Sequence, residues 1–98
     1  MKIPKILIQT NNIEPPKYYI DNIKKLIPNW EYKFFNDDDI IEYIKNNPIE
    51  EFNDAIEVYS KIEKGPHKAD FFRYYFIYVY CIIQSVAIFD IIRSIIVL

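Results

Sequence analysis

Hydrophobic positions fall into short blocks whose spacing changes along the chain. The run KILIQT (residues 5–10) is apolar and rich in isoleucine, which predicts a buried strand, with Pro4 where a strand can begin. In KYYIDNIKKLI (17–27), Tyr19, Ile20, Ile23, Leu26 and Ile27 recur at helical spacing. Pro16 can open that helix, and Pro28 with Asn29 ends it. WEYKFF (30–35) alternates apolar and polar residues and predicts a second strand. Asn36 or Asp37 can cap the next helix, whose positive end suits the remaining acids of NDDD, and which runs on until Pro48. Residues 49–64 carry Phe52, Ala55, Ile56 and Tyr59 in helical register, a helix that Gly65 and Pro66 would stop. One more helix is expected from His67 to about Ile83, with Phe72, Phe76, Val79 and Ile83 as its buried stripe. The β-branched content of residues 85–98 favours a strand there.

Strand, helix, strand, helices and a further strand make an α/β pattern, with parallel strands joined by helical crossovers. So small a sheet leads to the expectation of an incomplete fold. The chain has 98 residues, enough for one domain or part of one, and its 51% hydrophobic content supplies a packed core. A net charge of −2 speaks against a nucleic-acid partner. Cys81 alone can form no internal disulfide, and with His67 as the one histidine no Cys/His metal cluster is available. A single glycine, Gly65, excludes the Gly-rich phosphate loops of dinucleotide-binding and Walker-type proteins. No signal-peptide pattern opens the chain, so a cytoplasmic location is expected. The nearly uncharged stretch 74–89 is stopped by Asp90 and Arg93 short of the roughly 20 residues a membrane span needs, and is expected to be core helix plus strand.

Candidate chemistry centres on Asp70 and Arg73. Three apart on a helix, they share a face offset from the apolar stripe. A carboxylate accepts hydrogen bonds from sugar hydroxyls, and a guanidinium donates to hydroxyl or phosphate oxygens in a fixed fork. The competing reading is an ordinary helical ion pair. Asp37, Asp38 and Asp39 read as a helix start in preference to a cation cluster. Glu50 and Glu51 read as a solvated first turn, Cys81 as a small buried residue, and Trp30 as a core anchor.

Three blocks occur in order: IPKILIQT from Ile3, NWEYKFFNDDDI from Asn29, and KADFFRYYFIYVY from Lys68. Together they resemble the glycosyltransferases whose sugar-binding region carries a DXD motif. The resemblance implies the N-terminal half of a GT-A (Rossmann-like) nucleotide-sugar-binding domain: a small, mainly parallel sheet with flanking helices over residues 1–80, and an apolar C-terminal tail, 81–98, in the same domain. It implies that Asp70 and Arg73 hold the donor sugar, with Tyr74 after them, and that the first strand's end, Gln9 and Thr10, faces the nucleotide. The family's histidine in that strand is Ile8 here. Asp37 and Asp38 match its acidic pair.

The family's closing block, two glycines and two alternate aspartates for Mn²⁺ or Mg²⁺, has no match directly after Tyr80. A shifted alignment makes Asp90 the first metal-binding aspartate and puts Ile92, which cannot hold a hard cation, at the second. The expected function is therefore that of a glycosyltransferase-like chain, truncated or degenerate, that meets a nucleotide-sugar but is inactive alone because its metal site is incomplete. The alternative is a non-enzymatic interaction module or membrane-associated remnant, self-associating or touching a membrane through its apolar tail.

Overall fold

The computed structural model of the chain describes residues 5–84 and 95–97. The elements run β1 (Ile6–Thr10), α1 (Lys17–Leu26), β2 (Glu31–Phe35), α2 (Asp37–Asn46), a 3-10 turn (Glu50–Phe52), α3 (Ala55–Lys61), α4 (Gly65–Gln84) and β3 (Ile95–Val97). Among the described residues the sheet is parallel with strand order β2-β1-β3. The expected small parallel α/β sheet with flanking helices is thus the architecture found. The predicted start of a strand at residue 85 lies outside the described residues, as does Asp90.

Parallel register decides which residues share a face. Ile6 pairs with Glu31 and Ile95, and Ile8 with Lys33 and Val97. Ile6, Ile8, Ile95 and Val97 form one core with Phe72, Phe76 and Val79 of α4 and with Ile40 and Ile44 of α2. The opposite face carries Leu7, Gln9, Tyr32 and Phe34. Tyr19 of α1 lies near it: burial, and then Tyr19, raise the pKa of the Tyr32 hydroxyl. The crossovers from β1 and from β2 therefore lie on opposite faces, which is why three consecutive residues of β1, Ile6 to Ile8, are all buried.

Local chemistry accounts for the helix ends. Asn36 caps α2, its side chain accepting from the Asp39 N–H at 2.7 Å, while the Asp39 carboxylate accepts from the Asn36 N–H at 3.0 Å. At the other end the Asn47 side chain donates to the Tyr43 carbonyl at 3.0 Å, and Pro48 prevents continuation.

Several expectations are corrected. Residues 49–64 are not one helix: Asn53 and Asp54, which favour turns, separate the 3-10 turn from α3, and α3 ends at Lys61 because Ile62 is already extended. The break still lets Phe52 and Tyr59 both meet Phe71, at ring-centroid distances of 5.6 and 5.9 Å. Gly65 and Pro66 do not stop a helix but open α4, where a missing N–H is tolerated. In α4 the buried set is Phe72, Tyr75, Phe76, Ile77 and Val79, whereas Ile83 is 65% exposed. Ile20 and Ile23 of α1 and the following Ile27 are half-buried, but Tyr19 is exposed and Leu26 is 80% exposed. Trp30 and Cys81 are half-buried. No described helix is long and apolar enough to cross a membrane.

Candidate functional site

The chain leaves β1 over one face of the sheet and reaches β3 over the other. In open parallel sheets this divergence opens a crevice beyond the carboxyl ends of the strands, where ligands bind. A groove of about 560 Å³ lies there. Thr10 and Asn11 at the end of β1, Val97 at the end of β3, and Asp70 and Arg73 of α4 line it. The Arg73 Nη1 stands 3.5 Å from the Asp70 Oδ1, and its Nη2 donates to the Val97 carbonyl at 3.2 Å. One turn further along the same helical face Ile77 is fully buried. The pair therefore occupies the point where a core-facing side of α4 emerges into the crevice.

A narrower polar recess of about 210 Å³ adjoins the groove and shares Thr10, Asn11, Gly65 and Ala69 with it. Asp37 is its centre. The Asp37 Oδ1 accepts from the Tyr59 hydroxyl at 2.8 Å, its Oδ2 pairs with the Lys68 Nζ at 3.3 Å, and its backbone N–H donates to the Asn12 Oδ1 at 3.3 Å. Burial of this carboxylate acts to raise its pKa. Hydrogen bonds with Tyr59, Lys68 and Asn12, with the Lys68 charge, outweigh that effect and hold it below the ordinary value. Burial, and then Asp37, push the Tyr59 hydroxyl strongly upward, so it remains a donor at any physiological pH.

The lining suits a neutral polyhydroxylated ligand. Asp70 supplies acceptors and Arg73 keeps donors beyond the one given to Val97. Among the described residues, three carboxylates (Asp37, Glu63, Asp70) against two cations (Lys68, Arg73) leave the groove and recess together at −1, unfavourable for an uncompensated diphosphate. Among the described residues no three acidic, histidine or cysteine side chains gather where they could hold a metal ion. These residues do not fit the Mn²⁺ or Mg²⁺ that the sequence resemblance implies, and Asp90 lies outside them.

Of the expected site residues, Thr10, Asp70 and Arg73 are brought together. Gln9 is placed elsewhere: its Oε1 accepts from the Tyr32 hydroxyl at 2.7 Å, on the α1 side of the sheet. Tyr74 is 60% exposed. Sequence reasoning gave Lys68 and Tyr59 no part in the site and took Asp37 as a helix start. The available signal was the position of Lys68 in the same block as Asp70, and of Asp37 in the family's acidic pair.

Fold and groove together give a parallel α/β sheet with flanking helices and a crevice beyond the ends of β1 and β3. The glycosyltransferase sugar-binding region containing a DXD motif matches residues 14–81, more than half of the chain, and the chain belongs to this family. The match takes in the blocks at Asn29 and Lys68, and begins after β1. No curated protein and no solved structure matches the chain.

Proposed function

We propose that this glycosyltransferase-like chain binds a nucleotide-sugar, with the sugar held by Asp70 and Arg73 and the nucleotide directed toward Thr10. The observation that carries this reading is the meeting of Asp70, Arg73 and Thr10 around one groove at the ends of β1 and β3. Asp70 accepts from sugar hydroxyls. Arg73, steadied by the Val97 carbonyl, donates to hydroxyl or phosphate oxygens. Gln9 contributes from behind, tied to Tyr32, by fixing the end of the strand.

Binding on this reading is weak, insensitive to divalent metal, and without sugar transfer by this chain alone. A diphosphate leaving group needs charge compensation, and the aspartate pair that would hold a cation is reduced to Asp90 with Ile92 at the second position. Calorimetric titration with UDP-glucose and GDP-mannose, with and without Mn²⁺, tests it. The expected result is the same weak affinity in both conditions, lost in Asp70→Ala and Arg73→Ala, with no donor hydrolysis. Manganese-dependent turnover that disappears in Asp70→Ala would overturn the inactive assignment. Binding untouched by either substitution would overturn the site.

A further inference from the structure

We propose that Asp37 is the positioning residue of this groove, setting the gap between its two walls. The inference rests on the reading of the groove as a sugar-donor site. One wall is the segment after β1, Thr10 to Asn12; the other is the first turns of α4. Asp37 holds both. Its backbone N–H bonds Asn12, and its carboxylate bonds Lys68, two residues before Asp70 on the same helix. The third contact is the anchor. Tyr59 of α3 is only 1% exposed, and its hydroxyl donates to the other Asp37 oxygen at 2.8 Å. The Lys68 ammonium also stands 4.9 Å from the centre of the Tyr59 ring, which closes a unit of three side chains.

An isolated surface ion pair would contribute little. Here one residue joins α2, α3, α4 and the β1 loop, its carboxylate reaching α3 and α4 and its backbone N–H the loop, and Asp37 and Lys68 are both partly shielded from water. Loss of its charge frees Lys68 and so releases the first turns of α4 from α2, while the backbone bond to Asn12 stays. Asp37→Asn keeps the shape and one acceptor for Tyr59 but abolishes the pairing with Lys68. Asp37 acts on the ligand through Asn12 and Lys68.

Ile44→Val serves as the control, because Ile44 is a buried α2 residue of the core away from the groove. Two measurements are made on the full chain: UDP-glucose and GDP-mannose affinity by calorimetry, and backbone amide exchange by NMR. Asp37→Asn should weaken donor binding about tenfold, while Ile44→Val, destabilising by packing alone, leaves it unchanged. Lys68→Met should weaken it similarly and add nothing in the Asp37→Asn background. Exchange in Asp37→Asn should rise about tenfold at residues 67–73 and stay unchanged in β1 and the centre of α4, whereas Ile44→Val raises it without that pattern. Wild-type donor affinity in Asp37→Asn overturns the proposal. If the wild-type chain binds neither nucleotide-sugar, the donor reading fails, and exchange still decides: an Asp37→Asn pattern like that of Ile44→Val overturns the positioning role.

Discussion

Single side chains do most of their work here at helix ends and walls of the groove. Asp37 has a lowered pKa, so its contribution to folding is complete above the unfolded carboxylate pKa and is lost as pH falls through the lower folded value. Thermal melts from pH 7 down to pH 3 should show a steeper decline for wild type than for Asp37→Asn at the acidic end. Parallel declines would show that the carboxylate is not the group being titrated. Asn36 offers a simpler test. Its side chain and that of Asp39 satisfy backbone N–H groups reciprocally, so Asn36→Ala should destabilise by about 1 kcal/mol, read as a shift in denaturant midpoint at unchanged slope. Tyr43 is a half-buried tyrosine whose burial, with Tyr75 nearby, pushes its hydroxyl up to about 12. It is an aromatic core piece first, stacked on Phe76 and edge-on to Phe72 and Phe35.

At the scale of elements, α4 carries both the core and the groove. Phe72 is fully buried one residue before Arg73, so the side chain that anchors the helix fixes the orientation of the one that lines the groove. Phe72→Ala should remove about 3–5 kcal/mol and reduce donor binding along with folding. Ile83→Ala, at the exposed end of the same helix, should change stability by less than about 0.5 kcal/mol. Equal losses from the two substitutions would mean that the end of α4 is covered in solution.

The molecule as a whole carries a net charge of −2, and the described residues that line the groove and its adjoining recess sum to −1. A nucleotide-sugar bearing a dianionic diphosphate thus meets repulsion that salt screens. Raising ionic strength from about 0.01 to 0.15 M shortens the Debye length from about 30 to 8 Å. Nucleotide-sugar affinity should consequently hold or rise with salt, and a steep fall would reveal a cationic phosphate site that the described residues do not contain.

Alternation and helical periodicity by themselves determined β1, α1, β2, α2 and α4, because these depend on which residues must leave water along one element. The capping of α2 was legible for the same reason: its partners are three residues apart. The placing of Asp70 and Arg73 on one helical face followed from spacing alone. The tertiary structure decided what lay across that face. The strand order puts β1 between β2 and β3, and this brings Val97 to Arg73 across 24 residues of sequence. Nothing in local spacing could show that Gln9 turns to Tyr32, that Ile83 stays exposed while Tyr75 and Ile77 are buried, or that Asp37 gathers Tyr59 and Lys68. Each of those outcomes depends on contacts between distant segments, whose geometry is set by sheet order and helix packing. Periodicity reports only the face a residue occupies on its own element; the partner that face meets is fixed when the layers close.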